Sequence, residues 1–366
     1  MANIKIIEDL SNAFGPSGFE EDVSSLVKKY CSDMNCESDA MHNVIVRMKN
    51  HDGKKPVILL DAHTDEVGFI VQHIKSNGLI SFLYLGSWIA SNIPAHIVRI
   101  KNSKGEFVRG IITSKPPHLM SDAELNERTS NIVDSIYIDV GASSYKEVVD
   151  VFGIKPGDPV APDVTFVYNE KTKVLLGKSF DDRIGCHCVI ETLKRLVKEE
   201  DLYVDVVGGF ASQEEIIGGG GYRGAYVISQ VIKPDLAIVF EGPPADDVYL
   251  DKYESQGRLK GGAQMRYFDP SYIGNREFLN YAKNLAEKNN IKYQCSVRKR
   301  GGTNAAVIHI SNKAVPSLII GVPTRYIHTH YNYCAEADID AAIDLATVVV
   351  KNLSKQVLHA LNGQQG

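Results

Sequence analysis

The run Tyr203-Val204-Asp205-Val206-Val207-Gly208-Gly209-Phe210-Ala211 leads into Gln213-Glu214-Glu215. An apolar run of this length reads as a buried strand, and two adjacent carboxylates leaving it carry a cost. Desolvating an unpaired charge costs on the order of several kcal/mol or shifts its pKa, so such a pair serves a metal, catalysis or a salt bridge. The plain alternative is a solvated turn at a strand end. Beyond the pair, Gly218-Gly219-Gly220-Gly221 leaves room above the carboxylates. The rest of the chain decides between the two readings.

Pro56-Val57-Ile58-Leu59-Leu60-Asp61 is apolar enough to be a central strand buried on both faces, and it delivers Ala62-His63-Thr64-Asp65-Glu66 at its carboxyl end. Upstream, Ile4 to Phe14 and Glu20 to Cys31 carry helical periodicity on either side of the Gly15-Pro16-Ser17-Gly18 breaker, and Asn43 to Met48 is a short strand. From Val67 to Pro162 the texture changes. Short β-rich runs at Gly68 to Ile74, Gly78 to Tyr84, Ala95 to Asn102 and Phe107 to Thr113 alternate with Gly, Asn and Ser turns, the pattern of a small barrel or sandwich. The α/β rhythm resumes at Lys173-Val174-Leu175-Leu176-Gly177, so the β-rich stretch is an insertion. Asp181-Asp182-Arg183 then opens a helix with apolar positions at Ile184, Cys188, Val189, Leu193, Leu196 and Val197. Further strands fall at Leu236 to Phe240 and Ser317 to Val322, and helices at Tyr222 to Ile232, Asn275 to Asn289 and Asp338 to Leu361. The expected fold class is α/β, with residues 67–162 inserted as a β-rich domain between 1–66 and 163–366.

At 366 residues, 44% hydrophobic and 23% charged, the chain has material for a large core and roughly two domains. Its 45 Asp and Glu against 40 Lys and Arg give a net charge of −5, which argues against nucleic acid as a partner. No apolar run approaches membrane-spanning length, and the first residues lack the uncharged core of a secretory signal; a cytoplasmic protein without membrane contact is expected. Cys31, Cys36, Cys186, Cys188, Cys295 and Cys334 include no CxxC pair, in keeping with a reducing compartment. Cys186-His187-Cys188 has the look of a metal cluster, but positions i and i+2 of a helix face apart. Buried, incidental thiols are expected there.

His63, the Asp181-Asp182 pair, Glu214-Glu215, Glu241 and His328 each follow an expected apolar strand. Open α/β sheets bind ligands outside the carboxyl ends of their strands, so these groups converge. Two histidines and at least three carboxylates, with no thiolate, suit Zn²⁺, Co²⁺ or Mn²⁺, and one carboxylate can bridge two ions about 3.5 Å apart. Which acid of the 181–182 pair does so is open on the residues alone.

With these residues in view, the chain resembles the glutamyl and deblocking aminopeptidase family, the tetrahedral dinuclear metallo-aminopeptidases of the co-catalytic zinc exopeptidase clan. The motifs span nearly the whole chain: Gly15-Pro16-Ser17-Gly18, His63-Thr64-Asp65-Glu66-Val67-Gly68, Pro116-Pro117-His118-Leu119, Ile138-Asp139-Val140-Gly141-Ala142, Phe180-Asp181-Asp182-Arg183-Ile184-Gly185, Gln213-Glu214-Glu215 and Arg325-Tyr326-Ile327-His328. The resemblance implies a mixed sheet flanked by helices, of zinc-exopeptidase type, interrupted by a β-rich, barrel-like dimerisation domain. It also implies dimers that assemble into a dodecamer, and removal of N-terminal residues from peptides. One metal would be held by His63, Asp181 and Glu241, the other by Asp181, Glu215 and His328, with Asp181 bridging. Asp65 would hydrogen-bond the far nitrogen of His63, and Glu214 would be the general base.

Three departures from the family pattern stand out. Glu241 replaces a usual Asp, Asn304 in Gly302-Thr303-Asn304-Ala305 replaces another, and Ile217 to Gly220 form an insertion beside the base. Alternatives within the clan are a deacylase or carboxypeptidase, for which Arg183, Arg223, Arg298, Lys299 and Arg300 could meet a carboxylate. An endoglucanase, as some relatives are labelled, would need two opposed carboxyls and no metal. A non-catalytic metal-binding protein is the remaining option.

Overall fold

Val57–His63 and Asp205–Ala211 pair in parallel with His63 level with Ala211, at the middle of a mixed sheet. In this computed structural model, residues 2–49, 51, 53–121, 136–216 and 221–363 are described. The expected insertion at 217–220 lies outside them. Among the described residues the sheet runs Asn35–Ser38, Val44–Arg47, Asp205–Ala211, Val57–His63, Leu236–Glu241, Ser317–Gly321, Ala263–Asp269, Tyr272–Ile273, with Tyr293–Val297 paired to Ala263–Asp269. Its four central strands are parallel, and the flanking ones turn antiparallel.

The central strands are apolar because both faces are covered. Ile58, Leu60 and Ala62 enter one core with Ile6, Ile184, Val189 and Ile343, whereas Leu59 points the other way onto Ala225, Ile228 and Ile308. Burying each leucine, isoleucine or valine among them is worth about 1.5–3 kcal/mol relative to exposure. Helices Ile4–Asn12, Phe180–Leu196 and Glu336–Lys351 supply the first layer, and Arg223–Ile232 and Ala305–Ile308 the second.

Between these halves, Gly68–Ile74, Ile80–Leu85, Ile97–Lys101, Phe107–Ile112, Ile138–Asp139 and Pro159–Pro162 close into a barrel. Phe69, Val71, Ile80, Val98, Ile100, Ile112, Ile138 and Val160 fill it as a core of its own. The barrel is fastened to the first helix of the body: Arg99 Nη2 donates to the Asn12 carbonyl at 2.6 Å, and Phe107 packs on Phe14 with ring centroids 5.3 Å apart. Lys101 adds an ion pair to Asp22 at 3.0 Å.

The structure departs from the sequence reading at several places. Val174–Gly177 is a strand, but it joins Val167–Asn169 and Asn332–Ala335 in a separate antiparallel sheet instead of the central one. The expected final helix is broken into Glu336–Lys351 and Lys355–Leu361, where Ser354 caps the second piece by accepting the Val357 N–H. Ala263–Asp269 was not anticipated, because buried Gln264, Arg266 and Asp269 interrupt its apolar pattern. Those polar groups find partners at a distance in sequence or in each other: Ser296 donates to Gln264, and Arg266 pairs with Asp269 at 3.0 Å. All six cysteines are free, with Cys186 and Cys188 buried. Among the described residues no helix is long and apolar enough to cross a membrane.

Candidate metal centre

The strands end where the chemistry gathers. His63 closes Val57–His63, Glu241 closes Leu236–Glu241, and Glu214 and Glu215 follow Asp205–Ala211 within four residues. Asp181 follows Val174–Gly177 and opens Phe180–Leu196, as expected, but that strand belongs to the small sheet and not to the central one. The Asp181 backbone is non-helical, and the Asp181–Asp182 peptide is cis. Asn332 of the small sheet accepts the Phe180 N–H at 3.1 Å and anchors that turn. His328 lies on the loop after Ser317–Gly321.

The Asp181 carboxylate sits between the two histidines. Its Oδ1 is 3.2 Å from His63 Nε2, and its Oδ2 is 3.5 Å from His328 Nε2. Glu241 Oε1 lies 3.7 Å from His63 Nε2, and Glu215 Oε1 lies 3.4 Å from His328 Nε2. Three sets of ligand atoms thus gather within 4.8 Å of one another: His63, Asp181 and Glu241; Asp181, Glu215 and His328; and His63, Glu214 and Glu215. Asp182 turns away from this cluster. Its carboxylate accepts the backbone N–H of His63 at 3.2 Å and of Gly185 at 3.0 Å, tying the helix start to the strand end.

Asp65 organises the pair of glutamates. Its Oδ1 accepts the Glu214 N–H at 2.9 Å and its Oδ2 the Glu215 N–H at 3.0 Å, with the Ser17 hydroxyl donating at 2.5 Å. His63 Nδ1 is 3.2 Å from the Asp65 carbonyl and 3.5 Å from its carboxylate, so the nearer partner is the backbone. Sequence reading passed over Ser17, although it lies in a motif singled out there, and over Ser87, whose carbonyl meets His328 Nδ1 at 2.9 Å. No local signal marks Ser87, which is a barrel residue 241 positions away.

Charge in the cluster is out of balance. Burial, together with neighbouring carboxylates, pushes Glu215 and Glu241 up to about 7 and raises Glu214 well above the usual carboxylate range. Burial would lower both histidines, but the surrounding carboxylates prevail, raising His63 well above its ordinary value and His328 to about 10. Asp181 is held far below the carboxylate range because the two histidines overcome its burial. The raised carboxylates record crowded negative charge, and an all N/O donor set of this kind suits divalent cations.

A cavity of about 610 Å³ opens over Asp181, Glu214, Glu215, Glu241 and His328. Arg266, Arg298 and Arg300 also line it. Arg298 is paired with Asp246 at 2.7 Å, whereas Arg300 is exposed and makes no ion pair among the described residues.

A mixed sheet with a barrel insertion and a His/carboxylate cluster at its strand ends has the build of a metal-dependent exopeptidase. The M42 glutamyl aminopeptidase family matches residues 42–345, and the chain belongs to it: it is an aminopeptidase, a hydrolase of peptide bonds. It is 31% identical over 326 residues to the glutamyl aminopeptidase of Lactococcus lactis subsp. cremoris, covering 88% of this chain and 89% of that one. It is similar in structure to the TET aminopeptidase of the marine sediment archaeon Thaumarchaeota archaeon SCGC AB-539-E09, with a TM-score of 0.91, 34% identity and coverage of 98% and 99%. It is also similar to the TET1 peptidase of Pyrococcus horikoshii, which can assemble into a tetrahedron or a large octahedral shell (TM-score 0.83, 26% identity, coverage 96% and 99%).

Proposed function

We propose that this aminopeptidase uses two divalent ions, Zn²⁺ or Co²⁺ with Mn²⁺ as a further candidate. His63, Asp181 and Glu241 would hold one, and Asp181, Glu215 and His328 the other. The observation that carries this reading is the Asp181 carboxylate, with one oxygen toward each histidine. When bound, such ions lower the pKa of a shared water and polarise the scissile carbonyl. Glu214 is the general base: it takes a proton from the attacking water and returns it to the leaving amine. Its backbone tie to Asp65 keeps it beside Glu215 while leaving its side chain toward the cavity. Asp65 also positions His63 from behind.

Arg300, the cavity-lining arginine without an ion pair among the described residues, favours an acidic side chain on the N-terminal residue, in line with the glutamyl aminopeptidase among the relatives. Residues 1–66 and 163–366 form the catalytic part, and 67–162 the dimerisation part. The separate core of the barrel and the exposed Leu83, Ile97 and Ile111 on it support that division. Dimers build toward a dodecamer, and the six free cysteines fit the reducing cytoplasm.

Hydrolysis of an amino-acid amide panel, with free, N-acetylated and C-terminally extended members, tests this function. Glutamyl and aspartyl amides should be cleaved fastest, and N-acetylation should abolish cleavage. Cleavage from the carboxyl end, or indifference to N-acetylation, would favour the carboxypeptidase or deacylase alternative.

A further inference from the structure

His328 reaches the cluster from a loop and not from a strand end. It sits on an excursion between Ser317–Gly321 and Asn332–Ala335, its side chain is 29% exposed, and it adopts a left-handed φ of 57°. Tyr326, two residues before, has a φ of 63°. Non-glycine residues hold that conformation only where their surroundings enforce it. Part of the enforcement is local: Thr329 Oγ1 and Asn332 Nδ2 both donate to the Tyr326 carbonyl at 2.8 Å.

The rest comes from the barrel. At the end of Ile80–Leu85 the chain turns through Gly86, whose φ of 87° and contact with Val67 leave no place for a side chain. The next two residues point at the loop. Ser87 offers its carbonyl to His328 Nδ1 at 2.9 Å, and Trp88 lies on Phe69 of the barrel core, ring centroids 4.8 Å apart. Trp88 is also 5.2 Å from the ring of His330, which stacks on His96 at 4.0 Å and 19°. His330 is 1% exposed, and neither of its ring nitrogens has a protein hydrogen-bond partner, so its contribution is ring packing.

We propose that the Ser87-Trp88 turn and His96 of the barrel are positioning elements of the metal centre. The Ser87 carbonyl takes the Nδ1–H of His328 and leaves Nε2 facing Asp181 and Glu215, while Trp88 and His96 clamp His330 and fix the loop that carries His328. The inserted barrel therefore completes the site from outside the catalytic part. This rests on the reading of His328 as a ligand. Partners that orient a ligating histidine are commonly worth 10–100-fold in metal affinity.

The test measures Zn²⁺ binding to metal-stripped full-length protein by calorimetry, with metal counted after dialysis, for Trp88→Ala, Trp88→Phe, His96→Ala and His328→Ala. Trp88→Ala and His96→Ala should keep one ion at parental affinity and bind the other 10–100-fold more weakly. Trp88→Phe, which retains a ring, should recover most of the loss, and the visible spectrum of Co²⁺-loaded Trp88→Ala should differ from the parent's. Two ions bound at parental affinity in both Trp88→Ala and His96→Ala, with His328→Ala losing one, would overturn the positioning role alone. Two ions retained by His328→Ala would overturn the ligand reading beneath it. Should Trp88→Ala not fold, His96→Ala decides the matter.

Discussion

Glu214 and Glu215 hang from one carboxylate through consecutive backbone N–H groups, yet they serve different ends in this account. Glu214→Gln keeps the shape and removes the base, so metal content should stay at the parental level while kcat falls by about 10² to 10⁴. Glu215→Gln removes an anionic ligand instead. Its metal affinity should drop, and activity should partly return at high added metal. Metal analysis with kinetics on both variants checks the pair; equal metal loss, or near-normal turnover in Glu214→Gln, would contradict the assignment. Away from the site, His187 gives a pH prediction. Burial, with Lys194 near, lowers its pKa from 6.5 to about 3, and its Nε2 accepts the Asn3 N–H at 3.1 Å. Between pH 6.5 and 3 the unfolded chain binds a proton that the folded chain does not, so stability rises with pH through that window and is lost on acidification. The slope from this residue is about 1.4 kcal/mol per pH unit in mid-window. His187→Gln should flatten the change in urea midpoint between pH 6 and pH 4; an unchanged slope would contradict it.

At the scale of the elements, the strand end Leu236–Glu241 and the start of Phe180–Leu196 are in close backbone contact. A Cβ on Gly242 would stand 2.7 Å from Asp181 Cα and 2.9 Å from the Phe180 carbonyl. Gly242→Ala should therefore push Asp181 out of line, with a loss of about 1–3 kcal/mol in stability and weaker metal binding. Urea unfolding and metal counting would show it, and parental values in both would refute it. This contact was beyond the reach of sequence reading, as was the sheet to which Val174–Gly177 belongs. What could be read was set by periodicity. Val57–His63 and Asp205–Ala211 announce themselves because both faces are buried, so apart from Asp61 and Asp205 each is apolar until the site begins. Ala263–Asp269 stayed hidden because its buried polar residues find partners in Tyr293–Val297 and within the strand itself. The histidines and acids were legible for the opposite reason, since each is a polar group that follows an apolar run. Ser87 and Trp88 carry no such mark, and only the closing of the barrel brings them to His328.

For the whole molecule, the barrel does two jobs in this account: it offers an assembly surface and it completes the second ion site. Full-length protein should run as a multimer by light scattering, and excising Val71 to Pro159 with a short linker should leave a smaller species. A monomer of the full chain at micromolar concentration would contradict that expectation. The central claim, however, is that crowded carboxylates and two histidines are arranged for two cations. The direct measurement is turnover of a free amino-acid amide by protein stripped with a strong chelator, followed while Co²⁺ or Zn²⁺ is added back and bound metal is counted. The account predicts no turnover in the stripped protein and recovery that reaches its limit as two ions bind per chain. Full turnover in stringently metal-free protein would contradict it.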